Sequence, residues 1–536
     1  MAQVERRQLP VLQGEAPPQA EQAPAMPAAA PPPEWTPPPQ TYAPAQDSGP
    51  AQGESALPPD LWRGLEGSTL ARLLAQVPIP SPSPALASLL ARALATNPEG
   101  AGGEAAMRVA ALEWAGRVNE LTEMLQSLAE ANEPGAAASY ALALLAAGRT
   151  EDACEAQLSS QAPGDASSKR ATFLIPVYCA ALSGDKDSAR QALNVARGNG
   201  IDVGFAASAI EGQPRRGAPT KNVDVLDYLF LKLGQAGNRP DITARASPEL
   251  LFLLARDDEA PAELRLAAAE RAASLNIIDG ETLANVYREA AQRLPKSAQS
   301  PAALRAKLFV ALEGQTSDKV RAESIDALLA SGRDARIEIP MAQAMAQASN
   351  GLAQDTQAAN FVEIGVRVAA LAGDDQTAWD LTEFAGAHGR GWQLLLVTTD
   401  PPSERSRTAL GSGVDIALTA GLPGALLQRL VTVLDALGEE VPIPLWELAA
   451  KTPQPDDGYL PATGALSTLK EAADAGDVGR TILLAACAFG PDGPQGAHLI
   501  ALGDGLRALK RVGLDAEARR LAFEALYAHW PARGKV

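Results

Sequence analysis

The sequence predicts an all-α fold, an α-solenoid of stacked antiparallel helical hairpins, and three observations carry that expectation. A phrase of small-residue helix, glycine turn and second helix recurs at Tyr140–Leu158, Tyr178–Ala196, Val368–Phe384 and Leu506–Leu526. In each, a glycine is followed five residues later by alanine: Gly148 and Ala153, Gly184 and Ala189, Gly373 and Ala378, Gly513 and Ala518. Hydrophobic residues make up 46% of the chain but aromatics only 4%, so the core has to be built from Ala, Leu and Val. Small side chains suit closely approaching helices and suit sheets poorly.

The spacing has a physical cause. Glycine adopts the left-handed conformation that ends a helix at no steric cost. A Thr or Asp just beyond it caps the next helix. An alanine one turn further in then lets the two backbones approach.

Residues 1–58 read as a disordered Pro/Ala/Gln-rich tail of polyproline character. They hold too little apolar surface to offset the entropy of ordering. Trp35 and Tyr42, flanked by prolines, read as incidental aromatics in a linker, with a docking motif as the other reading. From Asp60 the pattern turns helical, with Leu61, Leu65, Leu70, Leu73 and Leu74 at approximate helical spacing. Ser83-Pro84, Ser247-Pro248 and Ser300-Pro301 each read as an N-cap followed by proline at the first helical position.

The N-terminal helical segment spans 59–211. GQPRRGAPTKN at 212–222 interrupts it, and Arg215, Arg216 and Lys221 there read as an exposed loop or joint rather than an anion site. The central segment, 223–400, holds six helices of similar length and then a hairpin about Gly373. Residues 390–408 read as a buried piece ending in a loop, and QLLLVTT at 393–399 within it is ambiguous, a short strand being one reading. The C-terminal segment, 409–536, alternates Gly/Pro punctuation with helices, and Trp446 is expected to anchor a linker against them.

The junction from Gly148 to Ala153, with Tyr140 ahead of it, resembles the junctions of tetratricopeptide-type repeats. The resemblance implies an α-solenoid with a concave face that binds peptides or assembles partners. It covers four junctions. The interval from Gly148 to Gly184 is near the family's period of about 34 residues, and that from Gly184 to Gly373 is far longer. The repeats are therefore degenerate, and no peptide-clamp residues are carried over.

The net charge of −18 repels phosphate backbones, which argues against nucleic acid as a partner. The abundance of Ala, Gly, Pro and Arg reads as the composition bias of a GC-rich bacterial genome. No apolar run reaches the roughly 18 residues of a membrane span. Arg6 and Arg7 are followed by no hydrophobic segment, so the chain as written reads as cytoplasmic. A processed or mis-assigned start would instead make it periplasmic. Cys154, Cys179 and Cys487 show no metal-site spacing. Cys154 and Cys179 fall on consecutive helices and read first as simple buried thiols, with a bridge as the alternative in an oxidising compartment.

Chemistry-bearing residues are few. His388, His498 and His529 lie on separate elements, and no zinc-protease, serine-hydrolase or nucleotide-loop motif occurs. Gly503-Asp504-Gly505 is a fragment of a nucleotide fingerprint with no strand before it. Glu323-Ser324 resembles the Glu-Ser pair of lytic transglycosylases, which implies Glu323 as general acid. The accompanying segments and the aromatics of a sugar cleft are missing, so a solvated helix carboxylate is the simpler reading. No catalytic, cofactor or metal residue is nominated. The expected function is a non-enzymatic protein-binding scaffold; the alternative is a peptidoglycan-active enzyme or a structural envelope component.

Overall fold

The computed structural model describes residues 57–96, 104–156, 166–212, 222–315, 317–349, 359–419 and 422–530. The proline-rich tail with Trp35 and Tyr42, and the basic loop with Arg215, Arg216 and Lys221, lie outside the described residues. The described residues carry twenty-six α-helices.

The first nine are α1 (Gly67–Leu74), α2 (Pro84–Ala95), α3 (Glu104–Ala115), α4 (Val118–Glu130), α5 (Ala136–Ala146), α6 (Thr150–Glu155), α7 (Ala166–Leu182), α8 (Lys186–Gly198) and α9 (Gly204–Glu211). Then come α10 (Val225–Leu233), α11 (Pro248–Arg256), α12 (Ala262–Ser274), α13 (Gly280–Arg293), α14 (Pro301–Glu313), α15 (Asp318–Asp334), α16 (Glu338–Ser349), α17 (Ala359–Ala372), α18 (Asp375–Ala385) and α19 (Arg390–Leu396). The last seven are α20 (Glu404–Thr419), α21 (Gly424–Leu437), α22 (Ile443–Ala450), α23 (Ala465–Ala475), α24 (Val478–Phe489), α25 (Leu499–Arg511) and α26 (Asp515–Tyr527). Most pack chiefly on their neighbours in sequence, as stacked hairpins require, while α1 rests on α3 and α24, and α21 chiefly on α25.

The corners explain the stacking. Gly148, Gly184, Gly373 and Gly513 have φ of 79°, 82°, 85° and 88°, and the alanine five residues on is fully buried in every case. At Gly148 the chain makes two closing bonds: the N–H of Gly148 donates to Leu145 O at 3.0 Å and that of Arg149 to Leu144 O at 2.8 Å. This is the 6→1 and 5→2 pattern that satisfies the last carbonyls of a helix. Arg149 then caps α6 with its own carbonyl, which accepts from Ala153 N at 3.1 Å. Corner and next helix are thus one continuous hydrogen-bonded device.

The same device recurs where no glycine stands. Asn132, Gln235, Asn276 and Arg336 also have positive φ, and the following residue closes on the helix behind it: Ala236 N to Leu231 O at 2.7 Å, Ile277 N to Ala272 O at 2.9 Å, Ile337 N to Gly332 O at 2.7 Å. The long gap between Gly184 and Gly373 is therefore filled by hairpins of the same kind.

Ser83, Ser247 and Ser300 cap α2, α11 and α14 as expected, each side chain accepting from the N–H three residues on. Other expectations are corrected. The helix read from Asp60 begins only at Gly67; Leu61 and Trp62 lie in a turn, buried against Gly479. QLLLVTT is the body and end of α19, not a strand, because its leucines meet α18, α20 and α26 from one helical stretch.

The described residues of the expected segments 59–211, 223–400 and 409–536 pack into one compact unit. Helices α1 and α2 rest on α24, α2 also on α26, and α19 and α21 on α26. No described helix is long and apolar enough to cross a membrane.

Candidate interaction surface

The residues singled out from sequence are not brought together. Glu323 stands exposed on α15, with Lys319 at 3.9 Å along the same helix, and the Ser324 hydroxyl donates back to Val320 O at 2.8 Å. His498 is the N-cap of α25, its Nδ1 accepting from Ile500 N at 3.3 Å. Nε2 of His529 lies 2.9 Å from Gln495 O. His388 falls in the 3-10 turn Gly386–Gly389, and its side chain lies outside the described residues.

Gly503 and Gly505 sit inside α25 for packing. A Cβ on Gly505 would lie 2.4 Å from the Phe489 ring of α24, so only glycine lets these helices approach. The cavity beside Pro80, Leu90 and Asn276 has a volume of about 10 Å³, the size of one water.

Cys154 and Cys179 are joined by a disulfide, with their α-carbons 5.7 Å apart, so the reading as simple thiols is replaced by the bridge. Consecutive helices bring the two residues within the reach that bridging requires.

A dense polar constellation surrounds α26, no residue of which is exposed. Arg519 pairs with Glu439 at 3.1 Å, their side chains 2% and 1% exposed. Arg520 donates to Ala370 O and Leu371 O, both at 2.7 Å, and so caps the last turn of α17. Glu524 accepts from the Ser83 hydroxyl and from Ala85 N at the start of α2. Its carboxylate complements the positive end of α2, while burial raises its pKa, with Arg520 and Ser83 acting against that.

Tyr527 donates to Glu338 at 2.7 Å and accepts from Arg367 at 2.9 Å. Burial pushes the Tyr527 phenol up to about 12. Burial acts to raise Glu338 too, but hydrogen bonds from Arg333 and Tyr527 and the charge of Arg367 hold it below the usual range. These groups satisfy one another, and α26 joins the first helices of the chain to its middle.

The exposed apolar side chains tell a different story. On α22, Leu445 and Ala449 face inward while Ile443 and Trp446, one turn apart, are 72% and 44% exposed. Trp446 is therefore a surface residue and not the expected anchor. Its helix is held instead by Gln428, which donates to Ala449 O at 2.6 Å and Thr452 O at 2.8 Å.

A second group is assembled by backbone pairing. Tyr459 N donates to Gly496 O at 2.8 Å and His498 N to Tyr459 O at 2.9 Å, which sets Tyr459 and Leu460 beside the start of α25 with Ile500. All three are exposed. The Tyr459 ring lies on Gly490, where an added Cβ would come within 2.3 Å of it. Exposed Asp456 and Asp457 precede it in the chain. Neither group had a sequence signal, because Trp446 and Tyr459 read equally well as buried residues.

No protein-family model, curated protein or solved structure matches the chain. Its fold defines it as an all-helical protein of sequentially packed helix pairs.

Proposed function

We propose that this chain is a non-enzymatic protein-binding scaffold. Its hairpins form a fixed frame, and the apolar side chains of the α22–α25 region serve as contact points. The observation that carries the reading is the pair Ile443 and Trp446, held outward on a helix whose opposite face is buried. Tryptophan and large aliphatic residues displayed on a rigid element are the usual anchors of protein interfaces. Tyr459, Leu460 and Ile500 add a second apolar contact, with Asp456 and Asp457 supplying negative charge near it.

The test is photo-crosslinking from position 446 in the full chain within its native host, followed by affinity measurement with the captured protein. Trp446→Ala should weaken binding by roughly 30-fold, the equivalent of about 2 kcal/mol, without changing the fold. A partner bound equally well by Trp446→Ala and Leu460→Glu removes the proposal, as does turnover of a small substrate that Trp446→Ala leaves intact.

A further inference from the structure

The three cysteines occupy unlike environments. Cys487 on α24 is partly buried, and desolvation pushes its thiol up to about 11, which keeps it protonated and unreactive. Cys154 on α6 and Cys179 on α7 are half-buried, and they are bridged.

Among the described residues, the helix that carries Cys154 packs only on its sequence neighbours α5 and α7 to any extent. α6 spans six residues, Ala153 is its one buried side chain, and Glu151, Asp152 and Glu155 are exposed. A helix this short does not persist in water on its own. The Arg149–Asp152 pair at 2.6 Å lies half in solvent on both sides and adds little. α5, by contrast, packs on α4 and α7 as well as on α6.

We propose that the Cys154–Cys179 bridge is a redox clamp, formed in an oxidising compartment, that holds α6 closed on the Gly148 corner. On closure the two thiols lose two protons and two electrons as the S–S bond forms, and a disulfide oxidant is reduced to its dithiol by thiol–disulfide exchange. Two equivalents of a monothiol such as glutathione reverse the step, leaving as their own disulfide. Opening is confined to α6, because α5 and α7 keep their mutual contact and the rest of the unit is fastened through α26. Such a bridge persists only where the surroundings do not reduce it, which places the working protein outside a reducing cytoplasm.

The experiment uses the full chain, recovered from its native host with thiols blocked at lysis. Intact mass should show a single blocked thiol, and peptide mapping should assign it to Cys487. Hydrogen exchange before and after treatment with glutathione should then show amides of 151–156 exchanging at least about tenfold faster, with α25 and α26 unchanged. Cys154→Ser and Cys179→Ser should reproduce the reduced pattern, and Cys487→Ser should not. Blocked thiols at Cys154 and Cys179 in the native chain overturn the proposal. So does exchange over α6 that reduction leaves unaltered, and so does unfolding of the whole chain on reduction.

Discussion

α6 and α26 both follow a glycine corner whose fifth residue is a fully buried alanine, Ala153 in one and Ala518 in the other. Gly148 and Gly513 have nearly the same φ, 79° and 88°, and both corners close with the same pair of backbone bonds. Beyond the corner the helices part. α26 runs thirteen residues with none exposed, while α6 runs six with three exposed and is fastened by a disulfide. The local device decides that the chain turns back. How much of the returning helix is covered depends on how many other elements reach it. Among the described helices, for α26 these include α2, α19, α21 and α25, and for α6 they are chiefly α5 and α7.

The largest expected effect lies in α26. Arg519→Leu leaves Glu439 buried without its cation and should cost about 3–5 kcal/mol of stability, read from denaturant midpoints. Adding Glu439→Leu should recover most of that loss. A loss below about 1 kcal/mol for the single change would mean that the buried pair does not secure α26.

Next comes α6. Cys154→Ser should lower the local stability of the Gly148 hairpin by about 3 kcal/mol, read by hydrogen exchange, and leave α26 protected. Equal loss in both helices would erase the contrast between them.

At the corners themselves the two helices should respond alike. No atom lies within 4 Å of where a Cβ would stand on Gly148 or Gly513. Gly148→Ala and Gly513→Ala should therefore each cost about 1–2 kcal/mol through left-handed backbone strain alone. Arg336→Gly at a non-glycine corner should change stability by less than about 1 kcal/mol, since relieved strain and added freedom in the unfolded chain oppose each other.

The smallest effect is in pH. Burial raises Asp375, at the start of α18, to about 6, with Arg520 of α26 acting against burial and Asp400 adding to it. A carboxyl raised in the folded state binds its proton more readily there than in the unfolded chain. Its contribution is complete below the unfolded value near 4 and is lost as pH rises through about 6. Asp375→Asn should flatten the dependence of stability on pH between about 4 and 6, seen in melting temperatures across that range. An unchanged slope would show that Asp375 does not set it.

Much of the helical array was legible in the sequence. Glycine at a left-handed corner and serine before proline at a helix start act through neighbouring backbone atoms, so their signal is local. Gly148, Gly184, Gly373 and Gly513 all stand at corners, and Ser83, Ser247 and Ser300 all cap helices. The corners at Gln235 and Arg336 gave no signal, because neither side chain favours positive φ. At Arg336 the next residue, Ile337, is fully buried, while at Gln235 the neighbours are exposed and the turn is closed by the bond from Ala236 N to Leu231 O. QLLLVTT was ambiguous because a short apolar run fits either a helix or a strand until its neighbours are known.

The exposed groups were illegible for a related reason. Trp446 in IPLWEL has the composition of a core residue, and only the docking of Leu445 and Ala449 turns it outward. Tyr459 and Ile500 are far apart in sequence and meet through backbone pairing.

By itself, the sequence determined that this chain is helical, where many of its corners fall and which serines start helices, since these follow from backbone conformation over a few residues. Only the tertiary structure decided that Cys154 meets Cys179, that Arg519 and Glu439 are sealed together, and which apolar side chains are left in solvent. Those outcomes depend on which distant elements come to lie against each helix, and removing a side chain from water is a property of that whole neighbourhood.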